Sequence, residues 1–244
     1  MKDINDQNIS FWSPQPFFIA GFFAPQQLFQ LAWMYRLYKL DSNKPVDRRE
    51  LDEMANYVPY YALGNICIGT WMFFWNAEQL KLSNIFVVVN SLSQLYYVFG
   101  KLEPMRTNSW TSILTHVVAK SFAGIGVLDL VHNGSVAYFK DVPATLPVKV
   151  VTAVGFGLAS AASDWIFGGC MVYDLVALAA GQSGSWRQLL GAYAVGSAAI
   201  VAGKNLARAG EDSWRNVLCL WDNEYKDNFK LQRKAIALPA SCFL

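Results

Sequence analysis

The chain alternates between long apolar runs and short polar intervals, and the runs have helical length. A polar arm, residues 1–13, leads to Pro14 and Pro16, which open an apolar run over 17–38. Proline suits a helix start, and Pro25, inside this run, predicts a kink. Gln26, Gln27 and Gln30 lie on the same stretch and are expected to face other helices rather than lipid. Residues 40–53 read as a charged loop. A second run covers 54–75 and a third 82–99, the latter carrying Asn90, Ser91, Ser93 and Gln94. After a turn over 100–108, Ser109 is the expected N-cap of a fourth run, 109–139. The apolar stretch 148–180 would measure about 50 Å as one helix, against a bilayer core of about 30 Å. It is one long protruding helix or two short spans broken at Ser163-Asp164. A last run covers 186–206. From Ala209 the tail turns polar, with Trp214, Val217, Leu218, Trp221 and Tyr225 at the spacing of an amphipathic surface helix.

The pattern predicts an all-α, polytopic transmembrane helix bundle over residues 1–208 and a cytoplasmic tail over 209–244. Composition agrees. Of 244 residues 54% are hydrophobic, 15% aromatic and only 16% charged, below the quarter usual in soluble domains. A net charge of +2 gives no case for nucleic acid. The polar first ten residues, with Lys2 their only base, lead us to expect no cleavable signal peptide. Of four cysteines, Cys67 and Cys170 lie in apolar runs and read as small buried hydrophobes; none has metal-site spacing.

Charge then bears on span number. With seven spans and the N-terminus outside or lumenal, 14 Lys and Arg fall on the cytoplasmic side and 5 outside. Six spans, with 148–180 as one helix, would put Arg48-Arg49 and the basic tail on opposite sides, so the positive-inside rule favours seven. The sequons at Asn8 and Asn133 would then both lie outside, close to the membrane.

Candidate chemistry sits in ionisable residues at membrane depth, where each must have a partner or a function. There is no phosphate loop, serine-hydrolase elbow or paired-His metal motif. In the fourth run, His116 and Lys120 share one face. Asp129, His132 and Asn133 lie on a nearly opposite one, with His132 and Asn133 expected at the membrane edge. Asp174, near the middle of its span, is the most costly residue; Lys120 is a candidate partner, and a structural hydrogen bond is the plain alternative. Trp71 and Trp75 are an i,i+4 pair with Glu78 one turn beyond, whereas Asn65 is expected to turn away from that face. Any one of these Trp residues reads equally as a membrane-interface anchor.

Several stretches resemble the translocator protein/tryptophan-rich sensory protein group. The Pro-aromatic opening W-S-P-Q-P-F-F-I-A-G-F-F closes with Met34-Tyr35-Arg36. Asn65, Trp71, Phe73, Phe74, Trp75, Glu78 and Gln79, then Leu82-Ser83, are similar to that group's next helix and the start after it. The pattern from Asp164 to Leu178 is similar in longer members. The resemblance spans about residues 12–200. It implies a tetrapyrrole or sterol-like ligand held between helices.

Two functions follow as expectations. The first is binding of a flat hydrophobic molecule (tetrapyrrole, sterol or isoprenoid-like) in an aromatic intramembrane pocket of Phe22, Asn65, Trp71, Trp75, Glu78 and Gln94. The second is a membrane enzyme on a lipid or isoprenoid, similar in size and span count to small terpene cyclases, with Asp174 or Asp129 as general acid. A small transporter, requiring a homo-oligomer at this length, is third. The expected partners are the bilayer and a hydrophobic small molecule; the residues name no metal and no cofactor.

Overall fold

The computed structural model of the chain describes residues 2–209. A first unit covers residues 1–201; a second covers 202–244, of which only 202–209 are described. All regular elements among the described residues are helices: α1 (Lys2–Gln7), α2 (Pro16–Lys39), α3 (Pro45–Asn76), α4 (Leu80–Gly100), α5 (Trp110–Tyr138), α6 (Leu146–Ala162), α7 (Trp165–Gly181) and α8 (Gly184–Ala209). Of these, α4, α5 and α8 are long and apolar enough to cross a membrane, while α6 and α7 are shorter apolar helices. The amphipathic tail helix, Cys219 and Cys242 lie outside the described residues.

Local chemistry sets the boundaries. Pro16 takes the first position of α2, where its missing N–H is no loss, and Gln15 caps the helix by accepting from Phe17 N at 3.1 Å. The helix continues through Pro25. Pro45 starts α3 nine residues before the expected span, so most of the charged 40–53 interval is helix rather than loop. Ser109 caps α5 as expected, accepting from Ser112 N. The 148–180 run is two helices: Asp164 leaves helical geometry and caps α7 through Phe167 N at 3.0 Å.

The first unit is organised around α5, which packs on α2, α3, α4 and α7. Small residues permit the closest crossings. A Cβ on Gly124 would stand 2.3 Å from Cys170 Cβ, and Gly126 accepts from Ser91 Oγ at 2.7 Å. One apolar cluster joins α5 to α7 and α8 through Phe122, Leu128, Phe167, Met171, Leu178 and Leu190. A second joins α2, α3, α4 and α5 through Trp33, Met54, Tyr57, Tyr97, Leu114 and Val118. Cys67 and Cys170 are both buried and free.

The polar arm is not a free arm. After α1 the chain lies as a strap across one end of the helices, with Ser10, Phe11 and Ser13 buried. Gln182 Nε2 donates to the carbonyls of Ser10 and Ser13, and Trp186 Nε1 to that of Phe11 at 2.7 Å. Trp12 Nε1 reaches Thr152 Oγ1, Ser10 Oγ meets Ser135 Oγ at 2.6 Å, and Gln15 N donates to Ala177 O. The strap therefore ties α5, α6, α7 and α8. It approaches so closely that a Cβ on Gly181 would fall 2.3 Å from Ser13 O.

The opposite end is held by ions. Glu50 accepts from Arg36 Nη2 at 2.7 Å, from Ser109 Oγ at 2.8 Å and from Thr111 Oγ1, joining α2, α3 and α5. Arg106 pairs with Glu53 beside it. Burial alone would raise the Glu50 carboxyl; hydrogen bonds from Thr111, Arg36 and Ser109 outweigh it and hold the group below its ordinary range. Its stabilising share is thus complete above the unfolded-state value and is lost as pH falls through the lowered folded one. We expect Glu50→Ala to cost about 1–3 kcal/mol. Thermal denaturation in detergent checks this: the deficit at pH 7 should shrink toward pH 3.

Candidate functional site

Three helical stripes face one another below the strap. On α2 they are Pro16, Ile19, Ala20, Phe23, Gln27 and Gln30; on α3, Asn65, Ile68, Trp71, Met72 and Trp75; on α5, Asp129 and His132. Together with Asn5 of α1 they line a cavity of about 490 Å³, within the usual range for small-molecule sites. Its shape follows from how α2 and α3 meet. Toward Arg36 they are joined by Trp33 against Tyr57 and Tyr61, and by Tyr61 Oη donating to Gln30 Oε1 at 2.9 Å. Toward Pro16 and Trp75 they diverge, each resting on α5 and scarcely on the other. The cavity fills this V, with α5 as its floor and exposed Gln27 and Met72 on its rim.

Trp71 and Trp75 form the expected ring pair, their centroids 5.7 Å apart. Trp71 Nε1 donates to Asn133 Oδ1 at 2.7 Å, which fixes the indole against the floor. Trp75 is buried and lies 6.0 Å from the His132 ring. Asn65 lines the same cavity, contrary to the expectation that it turns away: the wall is wide enough to take positions 65, 68, 72 and 75 as one stripe.

Three expected ligand contacts fall elsewhere. Phe22 packs 5.4 Å from the Tyr173 ring on α7, and its neighbour Phe23, turned by one residue, meets the cavity. Glu78 is exposed, because α3 ends at Asn76 and Glu78 takes a left-handed backbone (φ 57°), so the row from Trp71 through Trp75 does not reach it. Gln94 is consumed in the α3–α4 seam, donating to Tyr60 O and accepting from Tyr57 Oη at 3.0 Å.

The polar residues of α5 are also placed differently. His132 and Asn133 are buried rather than at an edge, and His116 is buried as well. Lys120 binds Asp164 at the α6–α7 break rather than Asp174. Asp174 is fully buried, and neither of its carboxyl oxygens has a hydrogen-bond partner among the described residues. Gly124 meets Cys170, and the later ends of α5 and α7 both meet the strap, so Asp129, five residues past Gly124, and Asp174, four past Cys170, stand at about the same level of the α5–α7 seam, with Asp129 on the cavity floor. The two acids proposed from sequence are therefore neighbours along that seam. Missed were His132 and the α2 stripe; the 16, 19, 23, 27, 30 spacing was the signal available for the latter.

An unpartnered buried polar group costs about 1–3 kcal/mol, which removal of the carboxyl relieves, while the small void left costs a similar amount. Asp174→Ala is thus expected to leave the melting temperature in detergent unchanged or raised. A fall of several degrees would assign the carboxyl a structural hydrogen bond.

No family model, curated protein or solved structure matches the chain, so the cavity's own chemistry carries the functional argument.

Proposed function

We propose that the protein is a seven-span integral membrane protein that binds a hydrophobic small molecule in the cavity between α2, α3 and α5. The observation that carries this is the cavity itself: about 490 Å³, walled by Phe23, Ile68, Trp71, Met72 and Trp75, with polar groups confined to a few positions. Aromatic rings supply contact area and a small number of polar groups fix orientation, which is the usual design of a site for an apolar ligand. Hydrophobic side chains exposed outside the V, among them Leu28, Phe29, Ile66 and Phe73, give α2 and α3 a lipid-facing exterior. The resemblance of residues 12–200 to the translocator protein group points to the same class of ligand.

The seven spans are α2 to α8. In this reading the strap lies outside or in the lumen, and Arg36, Glu50 and Arg106 face the cytoplasm, as the excess of Lys and Arg on that side favours. A reporter fused after Leu244 is then expected to be accessible from the cytosol. Accessibility from the lumen would overturn the span count or its orientation.

A second reading is favoured by one observation, the acid on the cavity floor. Asp129, on the cavity floor, would be the acid that protonates an alkene or epoxide of a bound isoprenoid. One experiment addresses both readings: a neutral sterol or isoprenoid analogue is titrated against the purified protein in detergent and tryptophan quenching is followed. We expect saturable quenching, weakened roughly fivefold in the Trp71→Phe/Trp75→Phe double variant, at about 1 kcal/mol for the two rings. Recovery of the analogue unchanged in mass supports binding alone. A rearranged product that Asp129→Asn abolishes supports the enzyme, and absence of saturable quenching removes the cavity as a site for such ligands.

A further inference from the structure

We propose that the ligand of this cavity is a lipophilic organic cation, held with its charge at Asp129 and its apolar body between the tryptophans, and that its binding expels one proton from the Asp129–Asp174 pair. This rests on the reading of the cavity as a ligand site and adds the ligand's charge.

The argument is one of charge balance in a dry place. Asp129 stands on the cavity floor and Asp174 behind it, fully buried. Asp174 has no hydrogen-bond partner among the described residues, and the cavity lining contains no Lys or Arg. Lys120, the lysine of the α5 span, is already engaged with Asp164. Two neighbouring carboxyls without a cation cannot both ionise, so the pair holds at least one proton. A monovalent cation at Asp129 changes that: one carboxyl O–H is broken, its proton leaves to solvent, and the site's net charge is unaltered by the exchange.

The walls suit the same ligand. The faces of Trp71, Trp75 and Phe23 attract a cation through their ring quadrupoles, most strongly when water is excluded. His132 stands one turn from Asp129 and is not ion-paired to it, and its Nδ1 has no partner among the described residues. An anionic molecule, such as a tetrapyrrole with free carboxylates, would meet the acid on the floor and no Lys or Arg in the lining. The groups that face the pair are His132 on its own helix and Cys170 and Tyr173 on α7; Tyr173 Oη is occupied by Phe18 O at 2.7 Å.

Two probes of one shape and opposite charge test this without any variant: tetraphenylphosphonium and tetraphenylborate, titrated calorimetrically into the full-length protein in a non-ionic detergent. We expect saturable binding of the phosphonium only. Its affinity should rise with pH, by at most about tenfold per unit, and the measured heat should depend on the buffer's ionisation enthalpy as a released proton requires. Because the phosphonium has no titratable group, the proton must come from the protein. Asp129→Asn should lower phosphonium affinity at least tenfold, and Asp174→Asn should flatten the pH dependence. Equal binding of the borate, or phosphonium affinity independent of pH and of Asp129, overturns the proposal. A neutral sterol or isoprenoid analogue that binds where the phosphonium does not would overturn it too, yet leave the ligand site standing. Failure of all three probes would remove both.

Discussion

A polar group in an apolar slab must find its partner within the protein, and α5 is where this chain concentrates such groups. Thr111 and Thr115 are spent on Arg36 and on Trp33, Lys120 on Asp164, Asn133 on Trp71 and Ser135 on the strap. Those bonds run to α2, α3, the α6–α7 break and the strap, so the helix sits at the centre with its neighbours around it. The apolar clusters complete an arrangement whose order is already specified by these hydrogen bonds. Specification of this kind holds only when satisfaction is nearly complete. The exceptions on α5 and α7, His116, Asp174 and one nitrogen of His132, therefore stand out.

The two ends of the first unit are closed by different physics. At one end a lattice of carboxylates, guanidinium groups and hydroxyls fixes α2 and α3 to α5. At the other, the strap uses backbone carbonyls as acceptors for Gln182 and Trp186. The strap binds α5 to α8 but does not draw α2 and α3 together. Those two helices are joined at their Arg36–Glu50 end and parted at the other, and the cavity is the result.

Much of the scaffold was legible from the chain because it depends on short-range rules. Ser109 as a cap, Asp164 as a break and the tryptophan pair all follow from spacing of four residues or fewer. What was not legible depends on long-range docking. Polarity marked residues 1–13 as an arm, but a polar segment whose carbonyls meet Gln182, at the end of α7, and Trp186 on α8 is buried, not free. The chain pointed Lys120 to Asp174, and the turn between α6 and α7 brings Asp164 to it instead. Gln94 and Phe22 are the polar and aromatic residues a pocket would use; only the packing of α4 and α7 shows that they are already occupied. Glu78 lies off the Trp71–Trp75 row for a local reason, since the helix stops two residues before it.

The V between α2 and α3 has a consequence for how any occupant is supplied. Its floor is protein and its rim is formed by side chains on the outer faces of two helices, so in the seven-span topology we propose its mouth would open sideways, toward the hydrocarbon. In that topology a molecule that concentrates in lipid would already be at the mouth. Occupancy then follows the mole fraction of the compound in the bilayer, not its concentration in water, and each added methylene enriches the compound in the lipid by about 0.8 kcal/mol before any contact with the protein is made. Two compounds with equal affinity for the cavity would then occupy it in proportion to their partition coefficients, and the membrane itself would act as the first filter of what the proposed site meets.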